Sequence, residues 1–481
     1  MNFSYYTSLF VILSICFSIS EQLDCTQIPL NTQVAGKNLY IPDNQNTPVT
    51  LPVNFNCTYA VNPPTQVYAQ ITVSNNLKGV DDVIVVTDGQ KTVTKITRNN
   101  STDVVFYVFP GTSTLVNVQN FDATSKFQMT ISYVQLPNPE QRALQKGQSL
   151  NYLMLDSIQR KPITLSADGP ITLTLARSSY KSDEFDNYFV VDGFLDQPKT
   201  VKRLVDFTLT NFKASSNLIT LVGLDDKVSH SSVFLNPSTD LNGYDHFSGV
   251  TVDKLTGNIV AHVDQGQKVG VMIVAKDAGQ LVLNKLSLGD SADCKCTAVT
   301  GPPTADSKTL INFKEDQYAL PQLFPYPYFS FIVENCNIQF NFTTTVFPSY
   351  YQLDGERSGF IFSPNYFNSE ATNGFINLTF AYTGADRKQF VVDVDRAMLS
   401  GSTSSEMDIN IYDSDWKKTL STVITGNQEG TRSRAYGSYL NVQMTGYVDG
   451  KLKWRLGSTG VSIFNVQSML ILTVLYLVIS F

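Results

Sequence analysis

Two short stretches decide how this chain reads: Asp24-Cys25 and Asn54-Phe55-Asn56-Cys57-Thr58-Tyr59. The second is an early strand, and a bond between Cys25 and Cys57 staples it to the segment before it. In the chain-entropy description, closing such a loop stabilises a fold by about 3–4 kcal/mol. Far downstream a similar opening recurs, Asp293-Cys294 followed by Glu334-Asn335-Cys336-Asn337-Ile338. The two openings read as copies of one extracellular β-domain. In the second copy Cys336 can pair with Cys294 or with Cys296. One cysteine is then spare, for a bond between chains or a small-thiol cap. Cys294-Lys295-Cys296 has no matching partners at ligand spacing, so zinc is not expected.

The ends support the same compartment. Leu9 to Ile19 is apolar but too short to span a bilayer, and Ser18-Ile19-Ser20 precedes Glu21. Residues 1–20 therefore read as a secretory leader. At the other end Gly457-Ser458-Thr459-Gly460 and a short spacer lead into the apolar run Met469 to Phe481. Small residues, spacer and apolar tail form the pattern of a glycosylphosphatidylinositol signal over 458–481, with Gly457 or Ser458 as the attachment residue. The alternative is a single C-terminal transmembrane helix, although no cytoplasmic Lys or Arg follows the run. Asn56, Asn99, Asn100, Asn341 and Asn377 each begin an Asn-x-Ser/Thr triplet and are expected glycosylation sites.

Composition narrows the fold. Charged residues make up 16% and the net charge is −7, with no basic patch, so a nucleic-acid partner is excluded. Val67, Ala69, Ile71 and Val73 alternate with polar residues, as do Phe127, Met129, Ile131 and Tyr133. Period two over seven residues marks a half-buried strand. Similar runs recur to about Gly457, and none shows a convincing helical period. The fold class is therefore all-β, built of tandem antiparallel sandwiches of jelly-roll type. The expected boundaries are 23–136, a linker over 137–148, a middle β-domain of uncertain fold over 149–289, a linker over 290–307, and a last sandwich over 308–457. Within the middle domain, Ile163 to Leu175 around Asp168-Gly169 reads as the clearest hairpin of the chain.

Ser358-Gly359-Phe360-Ile361-Phe362-Ser363-Pro364-Asn365-Tyr366 resembles the opening of CUB domains, and Asp82-Val83-Ile84-Val85-Val86-Thr87-Asp88-Gly89 resembles another CUB stretch. With the leader, the Asp-Cys start and the Asn-x-Cys strand, the layout is similar to that of nematode CUB-like domain proteins. The likeness covers 23–136 well, 308–457 in part and the middle poorly. It implies compact sandwiches used for extracellular recognition and, in that family, a secreted or surface role in innate immune and stress responses without established catalysis. Many CUB domains hold calcium through acids on neighbouring loops, which makes Asp82 and Asp122 the candidate ligands. Asp393, Asp395, Asp408 and Asp413 are weaker candidates in the last domain.

No hydrolase elbow, metalloprotease helix or phosphate loop appears, and no further cofactor is expected. His230, His246 and His262 make a site only if the fold gathers them, and acid pairs such as Asp183-Glu184 or Asp225-Asp226 serve a glycosidase only in a groove. Phe324 to Phe329 and Phe347 to Tyr351 are aromatic and broken by proline, suited either to strand ends in a core or to exposed stacking surfaces. The expected role is non-catalytic recognition or barrier defence at a cell surface. Its partners would be an extracellular protein or glycan, a microbial surface included, and the outer leaflet of the membrane. A structural or adhesive coat glycoprotein is the alternative, and a carbohydrate-active enzyme is more distant.

Overall fold

The structure is a computed structural model, and it describes Cys25, Ile28 and residues 32–457 apart from 43, 101–102, 145–150, 179–185, 226, 255–258, 317–318, 369–373, 387 and 401–403. The expected leader over 1–20 and the expected anchor signal over 458–481 lie outside the described residues.

The alternating runs become strands that bury one face. The first sandwich comprises β1 (Asn38–Ile41), β2 (Val49–Thr50), β3 (Phe55–Val61), β4 (Val67–Asn76), β5 (Val83–Thr87), β6 (Val93–Ile96), β7 (Asp103–Val108), β8 (Thr114–Asn120) and β9 (Lys126–Gln135). One sheet runs β1-β9-β4-β7 with β2 also on β9, and the other runs β3-β8-β5-β6. Ile71, Val73, Phe127, Met129 and Ile131 from the first sheet meet Tyr59, Ile84, Val116 and Val118 from the second. Each buried aliphatic side chain there contributes about 1.5–3 kcal/mol of transfer free energy.

Among the described residues three more sandwiches follow, each with nine strands. The second has β10 (Glu140–Ala143), β11 (Tyr152–Met154), β12 (Ile163–Ser166), β13 (Ile171–Ser178), β14 (Tyr188–Gly193), β15 (Pro198–Arg203), β16 (Phe212–Lys213), β17 (Leu218–Gly223) and β18 (Ser232–Pro237). The third has β19 (His246–Val252), β20 (Ile259–Ala261), β21 (Lys268–Ala275), β22 (Leu281–Leu288), β23 (Lys295–Thr300), β24 (Thr309–Asn312), β25 (Gln322–Phe324), β26 (Tyr328–Glu334) and β27 (Ile338–Thr343). The fourth has β28 (Gln352–Leu353), β29 (Arg357–Phe362), β30 (Ile376–Tyr382), β31 (Lys388–Leu399), β32 (Glu406–Tyr412), β33 (Lys418–Ile424), β34 (Thr431–Gly437), β35 (Tyr439–Thr445) and β36 (Val448–Gly457). Numbered from its own first strand, each of these three has one sheet ordered 1-3-8-5-6 and another ordered 2-9-4-7. Their first strand lies parallel to the third. The first sandwich keeps the same order, except that its first strand pairs antiparallel with the ninth. The chain is thus one topology used four times.

This corrects the expected boundaries. The linker over 137–148 contains β10, which is the first strand of the second sandwich and pairs with β12. The linker over 290–307 contains β23, a central strand between β24 and β26. The middle region 149–289 is therefore one sandwich plus half of another, and 308–457 is the other half plus the fourth sandwich. Asp293-Cys294 opens no domain. Cys294 precedes a fifth strand, whereas Cys25 precedes a first one. The expected hairpin at Ile163–Leu175 is also corrected. β12 pairs with β17 and β13 with β18, so the Asp168-Gly169 turn carries the chain from one sheet to the other.

The repeats are fused. β13 of the second sandwich pairs parallel with β19 of the third, Ala176 opposite Gly249, so their sheets form one nine-stranded sheet. Leu173 and Val233 on one half of it pack with Leu165 and Leu221. Val271 and Phe331 on the other half pack with Leu283 and Phe342. The opposite face is buried too, through Phe234, Phe247, Met272 and Val274. Tyr68, Phe109 and Leu136 of the first sandwich close on Phe189, Val191 and Val222 of the second. Phe360, Phe362 and Phe367, from the start of the fourth sandwich, enter the core of the third.

Candidate functional site

Cys25 bonds Cys57, fixing the N-terminal segment to β3. Cys294 bonds Cys336, joining the start of β23 to the end of its neighbour β26. Cys296 stays reduced with no exposed surface, and burial pushes its thiol well above the ordinary range. Asn56 and Asn377 lie exposed on third strands, and Asn99 and Asn100 lie in the exposed turn after β6. Asn341 is half-buried on β27, its Oδ1 accepting from Asn284 at 3.0 Å. Gly457 ends β36 opposite Gln389, and Ser458 lies outside the described residues.

The candidate acids are mostly committed. Asp82 is 1% exposed. Its Oδ1 accepts from the Phe121 amide at 2.7 Å, and its Oδ2 accepts from Gly79 N–H at 2.9 Å and Ser125 Oγ at 2.5 Å. Asp122 is exposed, and its Oδ1 accepts from the Thr124 hydroxyl and amide, which hold its carboxyl below the usual range. Asp393 pairs with Arg432, and Asp395 lies 3.5 Å from Lys451. Asp225 is buried and accepts from Asn187 Nδ2 at 3.1 Å, while Asp183, Glu184 and Asp226 lie outside the described residues. Among the described residues no three His, Cys, Asp or Glu side chains gather as metal ligands would.

The histidines do not converge. His230 Nδ1 lies 3.1 Å from Asp253 Oδ2 and 3.3 Å from Lys276 Nζ. His246 and His262 instead line a cleft of about 460 Å³, together with Arg177, where the second and third sandwiches meet over the shared sheet. Burial pushes the His246 pKa down. The aromatic segments divide: Phe324 and Phe329 are core, Tyr350 is buried, and Phe347 is 55% exposed.

One exposed aromatic cluster of the fourth sandwich is one that sequence reasoning missed. Trp416 sits in the hairpin between β32 and β33, 56% exposed. Its indole stacks on Tyr439 with centroids 4.0 Å apart and planes 15° apart, and Tyr412 lies 5.6 Å away. The turn is held by Asp413, whose Oδ1 accepts from the Asp415 and Lys417 amides at 3.0 and 2.9 Å. Trp416 itself takes φ 56°, a left-handed position that hairpins ordinarily give to Gly or Asn. Lys418 Nζ lies 5.9 Å from the Tyr412 ring, and Tyr436 nearby is 44% exposed. The signal was present as Asp413-Ser414-Asp415-Trp416-Lys417, an Asp-led turn with Trp where Gly belongs.

Residues 20–137 match the CUB-like domain family. The chain carries a CUB-like domain. It is the first sandwich, and such a domain is an extracellular protein-interaction module. No curated protein matches the chain. Among solved structures the chain is similar to the CUB1-EGF-CUB2 domains of rat MASP-1, at 9% identity over 42% of this chain and 96% of that one, with a TM-score of 0.17. It is also similar to the CUB1-EGF-CUB2 domain of human MASP-1/3, at 9% identity over 64% and 99%, TM-score 0.17. A third is the full extracellular region of zebrafish Gpr126/Adgrg6, at 10% identity over 71% and 61%, TM-score 0.18.

Calcium does not fit the CUB-like domain at Asp82. A calcium ion needs six to eight oxygen ligands converging on it. Around Asp82 the chain places two N–H groups and a hydroxyl that donate inward. Asp122 Oδ1 is held by the Thr124 hydroxyl and amide of its own turn. The acid is a brace between the β4–β5 and β8–β9 loops of the CUB-like domain. Among the described residues no helix is long and apolar enough to cross a membrane.

Proposed function

We propose that this chain is a non-catalytic extracellular recognition protein, a fused array of four sandwiches that presents a binding surface on the fourth. The observation that carries this reading is Trp416. A bulky side chain at positive φ costs about 1–3 kcal/mol and persists where the surroundings hold it. Here a five-residue turn spends its hydrogen bonds holding an aromatic ring open to water. Interfaces and sugar-binding surfaces both favour such rings. The proposed setting is defence at an epithelial surface, supported by the likeness of the CUB stretches, with the tail over 458–481 exchanged for a lipid anchor. Release of intact protein from cells by a phosphatidylinositol-specific phospholipase tests the anchor, and retention on a phospholipase-sensitive membrane counts against it. The coat alternative loses its cross-link, because Cys296 is inaccessible.

The test uses the secreted chain 21–457 and its Trp416→Gly variant against microbial surfaces and a glycan panel, with calcium and with chelator. Gly relieves the left-handed strain while losing a stacking contact of about 0.5–1.5 kcal/mol, so folding stability should stay nearly level. Saturable binding that chelator leaves intact and Trp416→Gly abolishes is the expected result. Binding that survives the substitution removes the ring from the site, and absence of binding throughout sinks recognition.

A further inference from the structure

The first and fourth sandwiches share a polar cradle that their sequences do not advertise. In the first, Asn56 and Thr58 of β3 stand opposite Gln119 and Asn117 of β8. Asn117 Nδ2 donates to Asn56 Oδ1 at 2.9 Å and to Thr58 Oγ1 at 2.8 Å. In the fourth, Asn377 and Thr379 of β30 stand opposite Gln443 and Asn441 of β35, in the same register on the same two strands of the repeat. Asn441 Nδ2 donates to Asn377 Oδ1 at 2.7 Å and to Thr379 Oγ1 at 3.0 Å. In both cases the cradle grips the sequon asparagine by its oxygen. The nitrogen that would carry a sugar is left on the other arm of an exposed side chain.

The fourth sandwich adds a ring that the first lacks. Phe375 precedes Asn377 by two residues, the spacing that puts side chains on one face of an extended chain. It is 66% exposed. Phe375 and Asn377 line one cleft of about 370 Å³ between the third and fourth sandwiches, with Pro325, Tyr351 and Phe360. That volume falls within the range of small-ligand sites. In the first sandwich the corresponding position is Asn54.

We propose that a glycan on Asn377 is seated, its first N-acetylglucosamine packed against Phe375 at the mouth of this cleft. This rests on the expectation that the Asn377 sequon is used. A pyranose ring presents polarised C–H bonds on one face, and these lie favourably on the negative face of an aromatic ring. The contact also takes Phe375 and the acetamido methyl out of water. The sugar would then be a packed part of the joint between the two sandwiches, while a glycan on Asn56 stands free.

The test uses the full secreted chain from glycosylating cells, with Phe375→Ala and the ring-retaining Phe375→Trp. Mass spectrometry first reads occupancy at Asn377, and an unoccupied site overturns the sequon reading itself before any seating is measured. Native protein is then digested with an amidase that removes whole N-glycans, following Asn377 against Asn56. Seating predicts release at Asn377 at least tenfold slower than at Asn56, equal rates in Phe375→Ala, and slow release again in Phe375→Trp. Complete removal should lower Tm by about 2 °C in the parent and by less than half of that in Phe375→Ala. Equal release rates in the parent, or a Tm loss that ignores Phe375, overturns the seat. A slow rate that persists in Phe375→Ala does the same.

Discussion

At the residue scale the chain uses its acids as braces. Asp82 is the clearest: one buried carboxylate ties three donors from Gly79, Phe121 and Ser125. Removing the acceptor leaves those donors in a dry site, and each unsatisfied group costs about 1–3 kcal/mol. Asp82→Ala is therefore expected to destabilise the first sandwich by about 3 kcal/mol, read by urea unfolding of the secreted chain. Calcium should leave the unfolding midpoint of the parent unchanged, and a calcium-dependent rise would restore Asp82 as a ligand. The opposite treatment falls on Cys296. A thiolate is the reactive form, and burial has pushed this thiol's pKa up and out of reach of solvent. Neither the brace nor the burial is written in the local sequence, because both depend on chain tens of residues away.

At the scale of elements, the strands docked between sandwiches explain what could be read and what could not. β4 alternates because its sheet has one dry face, so its strand character and inward residues are legible from Val67, Ala69, Ile71 and Val73 alone. β14 and β21 are buried almost throughout, since another sandwich covers their second face. With no wet face there is no period of two, so the middle repeats showed strands without an architecture. Periodicity also says nothing about partners, which is why Ile163–Leu175 passed for a hairpin. Nor does the local sequence around Asp88-Gly89 show its use: Asp88 pairs across the joint with Arg203 of β15, side chains 8% and 17% exposed. Arg203→Ala strands a carboxylate at that joint. It is expected to cost about 3 kcal/mol, measured as a lower urea midpoint for the coupled first and second sandwiches. A change below about 0.5 kcal/mol would reduce the pair to a surface contact.

For the whole molecule the consequence is coupling. Sandwiches joined by flexible linkers unfold separately, but here the second and third share a continuous sheet through β13 and β19. They also share an apolar face, with Ala176 and Phe234 from one and Phe247, Met272 and Val274 from the other. Opening either one exposes that face and leaves strand edges unpaired, so the two should form one cooperative unit. Phe331 tests this from the far side. It is fully buried in the core of the third sandwich among Phe313, Phe329, Phe340 and Phe342, and among the described residues that core cluster has no member from the second sandwich. Phe331→Ala should cost about 3–5 kcal/mol. If the unit is cooperative, amide exchange in β13 and β18 rises with that in β21 and β26, by at least a hundredfold for a 3 kcal/mol loss, since each 1.4 kcal/mol is tenfold. Exchange in β4 and β9 of the first sandwich, which shares no sheet with the unit and meets it through packed side chains and the Asp88–Arg203 pair, should move far less. A rise confined to residues 246–343 would mean that the shared sheet parts at β13 and β19 before either sandwich opens, and that the four repeats behave as independent beads despite their fused strands.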